Sequence, residues 1–267
     1  MSVNEAWNAA AAYERYIGRW SRRIAEPFVS SLDAPAGLHW LDVGCGTGAL
    51  TTAVLRATQP TEVRGIDPSE NFVRHARDRL TGTGAQFATG DARALPVPDA
   101  RFDAVVSGLV LNFVPEPESA AAEMARVATP EGVVAAYVWD YADGMVMIRH
   151  FWDAATALDP GVADRAEGRR FPLCRPDPLR ALWTGAGLTD VTVEAIEVVT
   201  VFRDFDDLWT PFLGGQGPAP GYVTTLDDDH RSALRDLLRE RLPVAPDGSI
   251  TLSARAWSVR GYRPENG

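Results

Sequence analysis

Apolar and polar positions along the first half of the chain alternate between continuous buried runs and helical spacing. Short apolar runs, of the kind that is buried on both faces of a sheet, predict five strands at residues 40–43, 61–66, 85–88, 102–107 and 133–139. The segments between them place apolar residues three and four positions apart, as in Leu50, Ala53, Val54 and Ala57. Such an alternation of strands and helices favours a largely parallel α/β sheet with helices on both faces.

Capping and helix-breaking residues indicate where several of these elements begin and end. Ser69 is a predicted N-cap, Pro117 is expected to open a helix, and residues 130–132 (Pro-Glu-Gly) are expected to stop it. Asp177 and Pro178 are expected to cap and start a later helix. A helix predicted from Met145 onward belongs to what we interpret as an insertion that follows the fifth strand.

The last third of the chain predicts two further strands, at residues 190–200 and 250–262. Between them we expect helical structure around residues 205–212, a Gly- and Pro-rich loop over 214–222 and an amphipathic helix over 227–242. Because a helix-and-loop excursion joins the two strands, they are expected to pair antiparallel. The predicted architecture is therefore a seven-stranded, mostly parallel sheet whose last strand is antiparallel.

The N-terminal segment is predicted to be helical and unusually aromatic. Residues 4–32 carry apolar residues at roughly helical spacing, with breaks expected at Gly18 and Pro27. Tyr16 and Arg19 lie in its aromatic part, which either docks on the core or covers a ligand, and these two interpretations are compatible. We predict a single domain over residues 1–267, with an N-terminal helical flap at 1–32 and a helical insertion or cap at 140–176.

The composition of the chain argues against several classes of partner and site. The 267 residues carry a net charge of −10, and the short interrupted arginine runs do not form a basic patch, so nucleic acid is not an expected partner. Two cysteines without metal-ligand spacing predict no disulfide framework and no metal site. The first residues, Met-Ser-Val-Asn-Glu, do not resemble a signal peptide, and no apolar run is long enough to span a membrane. We therefore expect a cytoplasmic protein with no membrane partner.

A glycine-rich turn follows the first strand and is the strongest candidate for a binding site. Gly44, Gly46 and Gly48 alternate there, which lets the backbone approach a ligand without a Cβ in the way. The amides of the following helix N-terminus are available to ligand oxygens. Cys45, inside the turn, is interpreted as a small filler rather than a reactive thiol.

Two cofactor classes compete for this turn. The pattern Gly44-x-Gly46-x-x-Ala49 satisfies the dinucleotide fingerprint, and Asp67 lies about 20 residues further on, where a ribose-binding acid belongs. An NAD-dependent oxidoreductase is thus one alternative. The loop contains no cation that would neutralise a pyrophosphate, which favours a ligand without one.

The quoted motifs resemble those of the class I S-adenosylmethionine (SAM)-dependent methyltransferases, closely over the first half of the chain. Residues 41–48 (Leu-Asp-Val-Gly-Cys-Gly-Thr-Gly) are similar to the first motif of that family, and 65–69 (Gly-Ile-Asp-Pro-Ser) to the second. Residues 90–92 (Gly-Asp-Ala) resemble the third, and residues 102–107 and 130–133 match later blocks. The resemblance implies a Rossmann-like fold with a reversed final strand.

The resemblance also implies roles for individual residues in binding SAM, with S-adenosylhomocysteine as the product. The second-motif acid, Asp67, would bind both ribose hydroxyls, Asp91 the adenine amino group and the Ala92 amide a ring nitrogen. Asp42 either contacts the amino group of the ligand or is a structural acid that accepts hydrogen bonds from loop amides. The complete predicted cofactor set is Asp42, Gly44, Cys45, Gly46, Gly48, Asp67, Pro68, Asp91, Ala92, Gly108, Tyr16 and Arg19.

The acceptor is expected to be a small molecule. The branch of this family that methylates nucleic-acid amino groups carries an Asn/Asp-Pro-Pro-aromatic motif after the fourth strand, but here Asn112 is followed by Phe113. Asn112 is therefore interpreted as a local cap or a wall of the cofactor pocket. The chain resembles the single-domain branch that contains ubiquinone and menaquinone methyltransferases and tailoring enzymes of natural-product synthesis.

Candidate catalytic and acceptor-binding residues lie after the fifth strand. A base is needed for an alkyl hydroxyl or carbon acid, and His150, Asp140 and Tyr141 are the candidates, since open α/β sheets bind ligands at the carboxyl edge. Aromatic residues concentrated in the insertion and tail predict a flat or apolar acceptor, with Arg149 as an anion anchor. The predicted acceptor set is Trp139, Arg149, Trp152, Trp209 and Phe212.

The sequence thus predicts a SAM-dependent methyltransferase, monomeric or homodimeric, that acts on a small hydrophobic or aromatic metabolite. Besides the oxidoreductase, a SAM-binding fold repurposed without methyl transfer remains an alternative.

Overall fold

The computed structural model describes residues 14–215 and 217–265, and the statements below apply to those residues. The chain divides into two compact units. The sheet unit comprises Ser21–Val138, Leu173–Ile196 and Ala256–Gly267, and the insert unit comprises Met1–Trp20, Trp139–Pro172 and Glu197–Arg255. The first 13 residues of the predicted flap lie outside the described residues.

A seven-stranded sheet in the order β3-β2-β1-β4-β5-β7-β6 organises the fold. Strands β1 to β5 pair in parallel, and the last strands are antiparallel, which confirms the predicted fold class. The strands are β1 (His39–Val43), β2 (Glu62–Asp67), β3 (Gln86–Thr89), β4 (Phe102–Gly108), β5 (Ala128–Trp139), β6 (Thr189–Phe202) and β7 (Ile250–Tyr262).

Ten α-helices occur within the described residues. They are α1 (Arg19–Ser31), α2 (Ala49–Ala57), α3 (Glu70–Arg79), α4 (Pro117–Val127), α5 (Val146–Leu158), α6 (Glu167–Arg170), α7 (Pro176–Gly185), α8 (Phe205–Trp209), α9 (Pro218–Thr224) and α10 (Asp228–Arg241). A π-helical turn, Glu14–Gly18, precedes α1. Short 3₁₀ turns lie at Leu111–Phe113, Pro160–Arg165, Pro172–Cys174 and Thr210–Gly214.

Continuous apolar sequence explains why the central strands lie in the interior. Leu41 of β1, Val105 of β4 and Val134 of β5 are fully buried, as expected of parallel strands covered on both faces. Trp183 of α7 packs in the same cluster, and its indole N–H donates to the Val134 carbonyl oxygen at 2.9 Å. That bond satisfies a polar atom that would otherwise be costly to bury.

Two predicted helix starts are confirmed, and one is wrong. Ser69 caps α3, because its side chain accepts a hydrogen bond from the Phe72 backbone N–H at 3.4 Å. Pro117 is the first residue of α4. Asp177, in contrast, lies inside the first turn of α7, whose N-cap is Arg175. Proline suits the first helical position, because an amide there would have no partner within the helix. The helix therefore begins at Pro176.

Three predicted interruptions are also wrong. Pro27 lies inside α1, and residues 218–224 form α9 within the predicted loop. Helix α4 ends at Val127, and residues 130–132 belong to β5, which begins at Ala128. Between the pairs Phe102–Ala128 and Ala104–Val133 the register shifts, so this triplet forms a bulge in which Glu131 has a φ of +61°.

Within the described residues, no helix is both long and apolar enough to cross a membrane. Among the same residues, no group of three or more His, Cys, Asp or Glu side chains is arranged to hold a metal ion.

Candidate functional site

The glycine turn after β1 is held by the end of β2. The backbone N–H groups of Gly44 and Cys45 both donate to the Ile66 carbonyl oxygen, at 2.7 and 3.1 Å. Gly44 has a φ of +75°, and a Cβ there would lie 2.4 Å from Val110. Gly46 has a φ of +51° with nothing within 4 Å of an added Cβ. The turn is therefore tight at Gly44 and opens onto free space at Gly46.

Asp42 is the buried acid beneath this turn. Its side chain is 1% exposed, and Oδ2 accepts a hydrogen bond from the Thr51 hydroxyl at 2.6 Å. Oδ1 has no hydrogen-bond partner in the part of the chain that the structure describes. Burial raises the pKa of the Asp42 carboxyl to about 7, although the Thr51 hydrogen bonds oppose the shift. One buried carboxylate oxygen is thus available to a ligand.

Asp67, at the end of β2, shapes the turn directly. Its Oδ2 accepts from the Gly46 N–H and its Oδ1 from the Ser69 N–H, both at 2.9 Å. Burial raises the pKa of this carboxyl, and the two backbone N–H groups counteract the rise. Asp67 therefore couples the second predicted motif to the first, and each oxygen retains further lone pairs.

Asp91 differs from these two acids because it is exposed. Its carboxylate forms an ion pair with Arg93 at 2.7 Å, and the hydrogen bonds from Arg93 lower its pKa. Ala92 beside it is buried. Gly90 has no room for a side chain, since a Cβ would lie 2.8 Å from Ile66 and 2.9 Å from Pro96. The third predicted motif is thus a tight turn that follows β3.

Two of the remaining predicted cofactor residues of the sheet unit, Gly48 and Gly108, are glycines at positions where the backbone is constrained. A Cβ at Gly108 would lie 2.6 Å from the Tyr137 hydroxyl oxygen, so this strand end also requires glycine. Gly48 is the left-handed N-cap residue of α2. Cys45 is buried, and burial raises the pKa of its thiol, which keeps it protonated and agrees with its interpretation as a filler. Asn112 Oδ1 is a buried atom without a hydrogen-bond partner among the described residues.

Tyr16 and Arg19, predicted from the N-terminal segment, both belong to the insert unit. Arg19 pairs with Asp207 at 3.0 Å, and its guanidinium lies 4.5 Å from the Trp20 ring and 4.7 Å from the Phe202 ring. Tyr16 is 2% exposed and contacts the Phe212 ring at a centroid distance of 5.4 Å.

Three of the predicted acceptor residues lie in one aromatic cluster of the insert unit. Phe151 of α5 stacks on Phe212 at 4.6 Å and meets Trp152 edge-on at 5.2 Å. Trp209 lies 6.0 Å from Phe212. The structure therefore brings Trp152 and Phe212 together through Phe151, and Trp209 joins them through Phe212. The sequence interpretation did not select Phe151. The sequence could have indicated Phe151, because it directly precedes Trp152 on the same predicted helix.

The other predicted acceptor and catalytic residues are dispersed. Trp139 is buried, and its indole N–H has no hydrogen-bond partner among the described residues. Arg149 is exposed on α5 and does not belong to the aromatic cluster. His150 is half-buried beside it, and burial followed by the Arg149 charge lowers the pKa of its imidazole. Tyr141 is buried with its ring 5.8 Å from Phe171.

Asp140 is engaged in structural contacts. Its Oδ2 accepts from Arg255 Nε, and forms an ion pair with Arg255 Nη2, at 2.7 Å each. Its Oδ1 accepts from the Asp143 backbone N–H at 3.0 Å. Both carboxylate oxygens are therefore engaged in structural contacts, and a catalytic role for Asp140 stays a prediction.

A buried acid that the sequence interpretation missed is Glu167. It is 1% exposed in α6, and its carboxyl accepts from the Trp152 indole N–H and, at 3.3 Å, from the Ala219 backbone N–H. Burial raises the pKa of this carboxyl to about 7. Nothing in its local sequence, an arginine-rich stretch, distinguishes it from a solvated surface glutamate.

Comparison with known proteins identifies the family. A sequence profile described as a methyltransferase domain matches residues 41–136. Methyltransferase GfsG from Streptomyces halstedii is 32% identical over 206 residues, which cover 74% of this chain and 71% of that protein. The chain belongs to the class I SAM-dependent methyltransferases.

Two further comparisons place this methyltransferase among its relatives. Demethylmenaquinone methyltransferase from Anoxybacillus flavithermus is 34% identical over 131 residues, covering 48% of this chain and 53% of that protein. The chain thus spans about half the length of that relative. Phosphoethanolamine N-methyltransferase 2 from Haemonchus contortus, solved with S-adenosylhomocysteine, superposes with a TM-score of 0.58 at 16% identity. That match covers 96% of this chain and 57% of the other, and shows the shared fold.

The two glycines of the turn predict different costs for the same substitution. Gly44→Ala combines a left-handed backbone with a Cβ 2.4 Å from Val110, and we expect it to lower the free energy of unfolding by about 2–5 kcal/mol. Gly46→Ala meets only the backbone strain and should cost about 1–2 kcal/mol. Urea denaturation of both variants measures the difference. Equal losses would contradict the proposed packing of Val110 over Gly44.

Substitution of Asp140 can be compared with the same substitution of its neighbour Asp143, which serves as the control. Asp140→Asn removes the charge that pairs with Arg255 and should destabilise the protein by about 1–3 kcal/mol, less than for a fully buried pair because Arg255 is 31% exposed. Asp143→Asn, at an exposed carboxyl, should change stability by less than about 0.5 kcal/mol. If Asp140→Asn instead lost activity at unchanged thermal stability, the interpretation of Asp140 as a structural acid would be wrong.

Proposed function

We propose that this methyltransferase transfers a methyl group from SAM to a small, flat and apolar metabolite. The observation that carries the proposal is the buried aromatic cluster of the insert unit, in which Phe151 contacts Trp152 and Phe212, and Phe212 contacts Trp209. Aromatic side chains offer large apolar faces at little entropic cost, so they favour planar ligands. The name of the Anoxybacillus relative, which specifies a demethylated menaquinone, is consistent with a ligand of this kind.

The sheet unit offers groups that fit SAM chemically. The buried Oδ1 of Asp42, which has no hydrogen-bond partner among the described residues, suits an ammonium group. An ammonium group needs an acceptor, and a negatively charged acceptor strengthens the hydrogen bond. The open space at Gly46 admits a ligand against the backbone. Asp67 and Asp91 provide carboxylate oxygens for hydroxyl and amino groups. The predicted cofactor roles of these residues, and of Pro68, Ala92, Gly108, Tyr16 and Arg19, are part of this proposal.

SAM, when bound, supplies a methyl group already activated by its positive sulfur, so the protein has little covalent chemistry to perform. Its residues contribute binding, orientation and exclusion of water. Asp42 and Asp67, both buried, hold their charges in fixed positions set by Thr51, Gly46 and Ser69. Such preorganisation means that the side chains need not rearrange when the reaction occurs.

The proposal extends to partners and location. The acidic charge of −10 disfavours nucleic acid, and a small molecule is the proposed acceptor. Cys45 and Cys174 are both buried, and two cysteines without disulfide spacing are compatible with a reducing cytoplasm. We propose a monomer or a homodimer.

The acceptor proposal is tested by incubating the purified protein with methyl-labelled SAM and a panel of phenols, quinols, aliphatic acids and short oligonucleotides. We expect label in one or more of the flat apolar compounds and none in the oligonucleotides. Label found only in oligonucleotides would contradict the acceptor class. Tight binding of S-adenosylhomocysteine without transfer to any compound would favour a fold repurposed without methyl transfer.

The pKa of Asp42 predicts how cofactor affinity depends on pH. Because burial raises this pKa to about 7, the carboxyl is largely neutral at pH 6 and largely ionised at pH 8. An ammonium ligand binds the ionised form, so affinity for S-adenosylhomocysteine should rise about tenfold between these values. Calorimetric titrations at several pH values measure the change.

Asp42→Asn separates this effect from other titrations. The amide can still accept from Thr51 but places an N–H₂ donor where Oδ1 was free, so affinity at pH 8 should fall ten- to a hundredfold, from about 1.5–3 kcal/mol of lost charged hydrogen bond. The rise between pH 6 and 8 should largely disappear. Asp33→Asn, at an exposed turn position, is the control and should retain both affinity and pH dependence. An unchanged pH profile in Asp42→Asn would rule out Asp42 as the titrating group.

A further inference from the structure

The last strand in the order of the sheet, β6, ends in a segment that carries exposed apolar residues. We call residues 197–203 the β6 edge segment, and all of it lies in the insert unit. Within this segment Val199 is 56% exposed and Val201 is 47% exposed, whereas Thr200 and Phe202 are buried. The segment therefore packs one face into the protein and presents the other to solvent.

The exposed face of the segment has an apolar centre and opposite charges at its two ends. Alternate residues of a strand share a face, and Glu197, Val199, Val201 and Arg203 are all exposed. The Arg203 guanidinium lies 3.2 Å from the Asp204 carboxylate, but both groups are solvent-exposed. Exposed ion pairs contribute little to stability, so Arg203 is available to a second acidic partner.

The sequence of this segment does not protect its outer edge. Proteins usually protect edge strands with proline, lysine, a bulge or an inward-pointing charge. Residues 198–202 read Val-Val-Thr-Val-Phe, and such β-branched and aromatic residues favour strand pairing. Among the described residues, no strand follows β6 in the order of the sheet. The segment is therefore suited to pair with a further strand.

The order of residues in the segment is complementary to itself. Two antiparallel copies related by a two-fold axis at Thr200 place Val199 of one copy opposite Val201 of the other. The same axis places Glu197 opposite Arg203, and symmetry makes each of these pairs occur twice. Shifting the axis by one residue in either direction loses both charge pairs. The charges therefore select one register.

We propose that two copies of this protein form a homodimer in which their β6 edge segments pair antiparallel around Thr200. The inference selects the homodimer from the two states proposed above, and it does not depend on the identity of the methyl acceptor. A contact between two short strands is small for a protein interface, and each chain carries a charge of −10. We therefore expect the association to be reversible.

Sedimentation velocity of the full chain over a wide range of concentrations should show a monomer–dimer equilibrium. Val201→Lys places a cation in the apolar centre of the interface twice per dimer, and should raise the dimer dissociation constant at least about tenfold. Val244→Lys is the matched control, because Val244 is a valine of the insert unit that is 50% exposed. Its dissociation constant should equal that of wild type.

Charge reversal tests the register. Glu197→Arg and Arg203→Glu each turn two attractive pairs into two repulsive ones, and each should weaken the dimer about tenfold. The double variant restores opposite charges and should return the dissociation constant to within about threefold of wild type. Thermal melts followed by circular dichroism check that each variant is folded.

The inference is overturned if wild type is monomeric at every concentration, or if Val201→Lys dimerises as wild type does. Loss of the dimer in Val244→Lys alone would place the interface elsewhere. A double variant that associates no more tightly than either single reversal would contradict the register centred on Thr200. If a reversal variant does not fold, the comparison of Val201→Lys with Val244→Lys still decides the interface. The samples contain neither SAM nor acceptor, so a failure of the proposed function leaves these results unchanged.

Discussion

The two hydrogen bonds that the Asp67 carboxyl group accepts are the interactions on which the proposed cofactor site depends. The two oxygens of this carboxyl accept from backbone N–H groups that lie on different motifs, Gly46 in the glycine turn and Ser69 at the start of α3. Burial makes this charge costly, and the two hydrogen bonds offset the cost. One side chain at the end of β2 thereby sets the conformation of the turn after β1. Beneath this turn, Asp42 of β1 has an oxygen without a hydrogen-bond partner among the described residues.

The parts of the fold that could be predicted are those governed by local pattern. Continuous apolar runs located the strands, and Ser69 and Pro117 marked helix starts, because cap and proline chemistry acts within one turn. Residues 130–132 are expected from the sequence to stop a helix, because Pro and Gly normally end such an element. Pairing of Glu131 and Gly132 with Arg263, more than 120 residues away, keeps this triplet in β5, as the hydrogen bonds at 2.9 and 3.0 Å show.

The residues of the candidate site likewise divide into those that local sequence predicts and those that depend on distant contacts. Asp42 and the glycines occur in one contiguous motif, and Asp67 occurs in the second motif at the end of the next strand, so their arrangement around one turn was predictable. Glu167 was not, since its burial depends on contacts with Trp152 and Ala219, 15 and 52 positions away in sequence. Asp140 was chosen for its position after β5, but its pairing with Arg255, 115 positions away, satisfies its charge. Titratable groups with distant partners cannot be assigned roles from spacing alone.

The most direct test of the account is a calorimetric titration of the purified protein at pH 8 with S-adenosylhomocysteine and, separately, with NAD⁺. Beneath the turn, the buried Asp42 carboxyl has one oxygen without a hydrogen-bond partner among the described residues, and this oxygen can accept from an ammonium group. The protein should therefore bind S-adenosylhomocysteine at a single site and give no heat with NAD⁺. Saturable binding of NAD⁺ without binding of S-adenosylhomocysteine would contradict the account at its centre.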